Sequence, residues 1–114
     1  MCVYMPDSWS SSLDEIQTHY AHVSSLVQEA KSAHRFVCLC GDFNASIGNV
    51  LPNDGSALIC LYGIGPRTER GTLLSSFAQS ECMQICNRLF SKDLDHTLSF
   101  FHPITGARQI DQYC

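Results

Sequence analysis

A long apolar stripe between two short apolar runs sets the first limit on what this chain can fold into. Ser12-Leu13-Asp14-Glu15 has the Ser-x-x-Glu form in which hydroxyl and carboxylate each satisfy an orphan backbone N–H at a helix start. Leu13, Ile16, Tyr20, Val23, Leu26, Val27 and Ala30 then recur at helical spacing and form one apolar face. Asp14 and Glu15 in the first turn, with Lys31 and Arg35 near the end, match the helix macrodipole. Residues 2–5, stopped by Pro6, and residues 36–42 have strand length and composition. Strand, helix and strand at this spacing predict a βαβ-like unit. The continuous apolar run 36–42 further predicts a strand buried on both faces.

The chain has 114 residues, 45% of them hydrophobic and 16% charged, which suits one globular unit. Its 7 Lys+Arg against 11 Asp+Glu leave a formal charge of -4, so clustered basic charge gives no reason for tight nucleic-acid binding. None of the 7 cysteines forms Cys-x-x-Cys, and no Cys/His group has zinc-finger spacing. They read as small buried hydrophobes in a reducing compartment. With no apolar run of membrane-spanning length and no basic-then-apolar leader, the expectation is an intracellular protein, nuclear or cytoplasmic, without a membrane partner. His19, His22 and His34 flank the helical stripe and read as solvated.

Beyond residue 44 the pattern loosens. Residues 45–71 read as a long irregular stretch, of a length that is usually functional or disordered. Gly63-Ile64-Gly65 lacks the third glycine and the Lys-Ser/Thr of nucleotide loops. Arg67 and Arg70 are a basic pair close to glycines and are candidate phosphate contacts. Thr68 is placed to cap a second helix with Leu73, Leu74, Phe77 and Ala78 on its buried face. Three strands are expected to close the chain, over 83–90, 96–101 and 108–113. The turn 102–106 joins the last two, and Asp111 lies in the last.

The first apolar run to carry chemistry is the second one, because it ends in Gly41-Asp42-Phe43-Asn44. Side chains at i and i+2 of an extended segment point the same way. Asp42 and Asn44 are thus expected to reach one phosphate, one as proton acceptor and one as neutral donor. Open α/β sheets commonly place sites at such a strand end.

Taken together, Val3-Tyr4-Met5-Pro6 and Gly41-Asp42-Phe43-Asn44-Ala45-Ser46-Ile47-Gly48 resemble the endonuclease/exonuclease/phosphatase superfamily. Further motifs follow in order: Gly65-x-x-Thr68-Glu69-Arg70-Gly71-x-x-Leu74-x-x-Phe77, Ile85-x-Asn87-x-x-Phe90, His96-Thr97, Pro103-x-x-Gly106 and Gln109-Ile110-Asp111. These look like the endonuclease domain of LINE-type (non-LTR) retrotransposons and craniofacial development protein 2-like sequences. The resemblance implies an α/β (α+β) fold, a partial two-sheet β-sandwich flanked by helices, with residues 1–114 as one partial domain. It also implies a Mg²⁺-dependent phosphodiester hydrolase that nicks DNA, with Mn²⁺ as a possible substitute ion. In that scheme Asp42 orients and deprotonates the attacking water, and Asn44 donates to a phosphate oxygen. Tyr4 contacts the scissile phosphate and Asp111 orients a histidine, while Arg67, Thr68 and Arg70 would bind substrate.

The departures carry their own expectation. The family's metal-binding Glu precedes the Tyr-containing strand, and its Ser-Asp-His segment follows Gln-Ile-Asp. Neither is found in these 114 residues, so no metal ligand is assigned. Thr68 replaces the usual Asn, Leu98 the usual Trp, and Gln112 interrupts the usual Ile-Asp-Tyr-Ile. The expectation is a fragment inactive by itself. The alternatives are a small-substrate phosphatase or phosphodiesterase of the same superfamily, or a non-catalytic remnant self-associating through exposed sheet edges.

Overall fold

A computed structural model describes residues 1–7, 10–55, 59, 62–93, 98–102 and 106–114. Along the chain these form β1 (Cys2–Tyr4), α1 (Leu13–Ser32), β2 (Cys40–Asp42), α2 (Glu69–Ser80), a 3₁₀ turn (Cys86–Arg88), β3 (Phe100–His102), β4 (Gly106–Arg108) and β5 (Asp111–Tyr113). β1 and β2 are parallel, β5 joins β2 antiparallel, and the order β1-β2-β5 makes a three-stranded mixed sheet. β3 and β4 form a separate antiparallel pair. The result is a small α+β domain, with a Cα radius of gyration of 13.7 Å.

The α1 start follows from local chemistry. The Ser12 hydroxyl accepts from the Glu15 N–H, and the Glu15 carboxylate accepts from the Ser12 N–H at 2.7 Å. Ile16, Tyr20, Val23 and Val27 are buried, while Leu13 and Leu26 at the stripe margins stay exposed. The buried positions join Val3 of β1, Met5, Leu39 and Phe43 flanking the strands, and Leu74, Phe77 and Ala78 of α2 in one core. Burying a side chain of this kind contributes about 1.5–3 kcal/mol, enough to hold α1 where propensity alone would leave it marginal. The Tyr20 and Phe77 rings meet across the two helices at 5.0 Å, tilted by 30°.

α2 begins as expected at Thr68, whose Oγ1 accepts from the Gly71 N–H at 3.1 Å. Gly71 lets the helix press onto the loop after β2, since a Cβ there would stand 1.9 Å from the Ser46 carbonyl oxygen. His19, His22 and His34 are exposed.

Several expectations give way, the single strand over 108–113 among them, since one strand ends at Arg108 and the next starts at Asp111 in a different sheet. The run 36–42 is not buried on both faces: Phe36 and Cys38 are exposed, Leu39 and Phe43 are buried, and only Cys40–Asp42 is strand. An antiparallel neighbour gives a mixed sheet, and such sheets tolerate one solvated face. Residues 83–90 are not a strand, because α2 ends in Glu81 and Met83 N–H donations to Phe77 and Ala78 carbonyls, and a 3₁₀ turn follows. Met83 and Ile85 are buried and Gln84 and Cys86 exposed, so the alternation of a strand is present without its ladder. Finally, Cys2, Cys38, Cys82 and Cys86 are exposed and Cys114 is buried, all as free thiols. Cysteine on the open sheet face and in the turn gains nothing from the core. The expected strand 96–101 and turn 102–106 lie partly outside the described residues. Among those described, no helix is long and apolar enough to cross a membrane.

Candidate functional site

The strand register assembles the site. Tyr4 on β1 lies beside Asp42 on β2, and Asp42 lies beside Asp111 on β5, so the three form one lateral row. Laterally paired residues share a face of the sheet. Val3, Gly41 and Gln112 make the neighbouring row on the opposite face, where Val3 and Gln112 are buried. The Tyr4–Asp42–Asp111 row therefore looks outward, with Tyr4 74% exposed and the two carboxylates half-buried.

Leu39 and Cys114 exchange both backbone hydrogen bonds, at 2.7 and 2.8 Å. Alternation along an antiparallel ladder then makes Asp42 and Asp111 a non-hydrogen-bonded pair, in which Cα atoms approach to about 4.5 Å and side chains lie closest. Two carboxylates in that relation repel. Partial burial raises the Asp42 pKa above the usual carboxylate value, the Asn44 N–H opposes that, and the Asp111 charge adds to it.

Gly41 allows the close approach of β1 and β2. It sits at φ +147°, and a Cβ there would meet the Val3 carbonyl oxygen at 1.8 Å. The Asp42 carboxylate accepts the Asn44 N–H at 2.8 Å, closing a tight turn just after the strand. Asn44 itself sits at φ +47°, a left-handed conformation that asparagine tolerates better than most residues. The chain is therefore not extended through 44, and the geometry expected for Asp42 and Asn44 changes. The Asn44 Nδ2 donates to the Met5 carbonyl at 2.8 Å, and Met5 N–H donates to the Asp42 carbonyl at 2.9 Å. Asn44 thus ties the ends of β1 and β2 together; its amide carries two N–H bonds, and Met5 takes one.

On the far side, Asn87 Nδ2 donates to the Asp111 carbonyl at 3.1 Å. The Ser99 hydroxyl accepts from the N–H groups of Ile110 and Asp111 at 3.0 and 3.1 Å. Ser99 carried no signal in the sequence beyond being a hydroxyl near a turn. An open depression of about 180 Å³ lies beside Asn87, lined also by Tyr62, Gly63, Ile64, Phe90, Ser91 and Lys92.

The substrate-binding candidates are placed elsewhere. Arg67 grips Asp54 with both terminal nitrogens, at 2.7 and 2.5 Å, and its Nε donates to the Ile47 carbonyl at 2.8 Å. The Arg70 guanidinium donates to the carbonyls of Pro6, Asp7 and Ser11, which holds the β1–α1 connection against α2. Thr68 caps α2 and exchanges hydrogen bonds with the Ser46 backbone at 3.3 Å. In this conformation all three serve the loops around the row. A fourth polar group, Arg88, lies in no motif of the sequence; it is fully buried and donates to the carbonyls of Tyr62 and Gly48.

No group of three metal-ligating side chains converges among the described residues. The two carboxylates of the row do not by themselves make a cation site. The chain matches no family model, no curated protein and no solved structure.

Proposed function

We propose that the Tyr4–Asp42–Asp111 row is part of a phosphodiester-hydrolysing site of the endonuclease/exonuclease/phosphatase kind, acting on DNA. The single observation that supports this reading is the lateral register, which puts three residues widely separated in sequence side by side on an open sheet face. The finer architecture proposed with it is the superfamily's two-sheet sandwich, the β3–β4 pair contributing to the second sheet.

Each residue then has a task. Asp42 accepts the proton of the attacking water, and its raised pKa brings the carboxylate closer to the basicity a general base needs. Asp111, beside it, holds negative charge at the far edge of the row and is itself held by Asn87 and Ser99 through its backbone. Tyr4 presents an exposed phenol as a donor to a phosphate oxygen. Asn44 positions the strand end through Met5 and keeps its second amide N–H for the substrate. Mg²⁺, or Mn²⁺ in its place, would supply Lewis acidity at the phosphate. The two carboxylates of the row would supply only part of its ligand set.

The net charge of -4 makes non-specific attraction to DNA weak, so recognition must rest on the site. Nicking of supercoiled plasmid in Mg²⁺ tests the reading. Little or no hydrolysis is expected from this chain alone. Robust nicking that Asp42→Ala abolishes would show that the row suffices, and nicking that survives Asp42→Ala would remove Asp42 from the chemistry.

A further inference from the structure

Cys2 and Cys40 are lateral neighbours on the parallel strands β1 and β2, and their Sγ atoms stand 3.7 Å apart. Both belong to the open face that carries Tyr4 and Asp42; Cys2 is exposed and Cys40 half-buried. Neighbouring strands lie about 4.8 Å apart, within the roughly 4.4–6.8 Å Cα separation a disulfide spans. Closing the remaining gap between the sulfurs takes side-chain rotation while the strands stay paired. Cys38, also exposed, is two residues from Cys40 along the chain, about 6.6 Å in extended backbone. That is near the limit for a bridge, so the lateral partner is favoured.

We propose that Cys2 and Cys40 form a dithiol site that exchanges with small-molecule disulfides and closes a reversible clamp between β1 and β2. The Cys2 thiolate attacks one sulfur of the disulfide RSSR, forming a mixed disulfide and releasing RS⁻, which takes up a proton. Cys40 gives its proton to solvent, attacks the Cys2 sulfur and displaces the second RS⁻, which is protonated in turn. Two protein thiols and RSSR thus become one protein disulfide and two RSH; the protein is oxidised and the small disulfide reduced. Cys2 is the attacking group because it is the more exposed, and contact with its sulfur pushes the Cys40 thiol's pKa up. Tyr4 and Asp42 follow the two cysteines by two residues on the same face, so closure pins the strands carrying two thirds of the row. The clamp does not depend on the chemistry assigned to Asp42.

The test equilibrates the full chain with glutathione buffers of rising oxidised fraction, quenches it in acid, alkylates the remaining thiols and maps them by fragmentation mass spectrometry. Cys2–Cys40 should close first, ahead of every other pair, with loss of two hydrogens and recovery on reduction. Cys2→Ser and Cys40→Ser should each stop at a glutathione adduct on the surviving thiol, while Cys38→Ser should still close. In concentrated urea the preference should vanish. Equal pairing of Cys40 with Cys38, adducts on both thiols without closure, or the same pair distribution in urea and in buffer would overturn the proposal. The comparison of buffer with urea needs no variant, so it decides the matter even where a substituted chain fails to fold.

Discussion

Replacing Arg67 separates a structural arginine from a substrate-binding one. Its guanidinium forks onto both Asp54 oxygens and its Nε reaches the Ile47 carbonyl, while the same carboxylate accepts the Leu51 N–H at 2.8 Å. The Arg67 and Asp54 side chains are only 9% and 4% exposed. Removing one partner of such a pair strands the other charge, and a cost of about 3 kcal/mol is expected for Arg67→Ala, the low end for buried pairs. Stabilities of small domains are about 5–15 kcal/mol, so urea unfolding at neutral pH should show the loss clearly. Arg67→Lys should recover only part of it, because an ammonium lacks the paired N–H fork. The Arg67 hydrogen bonds are also the largest influence holding the Asp54 pKa below the ordinary carboxylate value, against the opposing effect of burial. A carboxylate with a depressed folded-state pKa stabilises the fold above its unfolded pKa, near 3.9, and loses that contribution as pH falls through the folded value. Asp54→Asn should therefore weaken the fold at pH 7 and flatten the loss of stability below about pH 4. If Arg67→Ala instead cost under about 0.5 kcal/mol, as exposed pairs do, while weakening phosphodiester binding, the structural reading of Arg67 would be wrong.

Two further substitutions probe the strand pairing and the row. Gly41→Ala should destabilise by about 3 kcal/mol or more, since it combines a strained backbone with a clash against the Val3 carbonyl. Loss of the β1–β2 amide protection in hydrogen exchange would report it, and a neutral effect would refute the close approach. Asp42→Asn keeps an oxygen acceptor for the Asn44 N–H and removes the charge facing Asp111. A raised folded-state pKa destabilises the ionised native form, a penalty absent below the unfolded pKa and growing as pH rises through the folded one. Asp42→Asn should therefore stabilise by about 0.2–1 kcal/mol at pH 7 and by nothing near pH 3, as measured by urea unfolding at the two pH values. A loss of stability at pH 7 would contradict the penalty that burial, and to a lesser degree the Asp111 charge, places on the ionised carboxylate.

What the sequence made legible was local. Ser12 and Glu15 announce α1 because the capping chemistry spans three residues, and Thr68 announces α2 in the same way. The parallel β1–β2 pair followed from strand, helix and strand in succession. The structural partners of Arg67 and Arg70 are not legible in the sequence, because they are carbonyls and a carboxylate 13 to 64 residues away, which no local pattern encodes. Phe36 and Cys38 are exposed within an apolar run, because apolar character says nothing about which face a helix will cover. Asn44 was expected to continue an extended chain, and its own backbone turn redirected its amide to Met5. Asp42, Tyr4 and Asp111 were each named from motifs, but their alignment is a property of register, set by the antiparallel return of β5.

That alignment is best tested by an amide-resolved NMR titration with a short DNA duplex in the presence of Mg²⁺. Perturbations centred on Tyr4, Asp42, Asn44 and Asp111, and abolished by Asp42→Ala in a chain that remains folded, are the predicted result. Shifts centred instead on the Arg67–Asp54 loop, or a row unmoved by saturating duplex, would contradict a phosphodiester site on this sheet face.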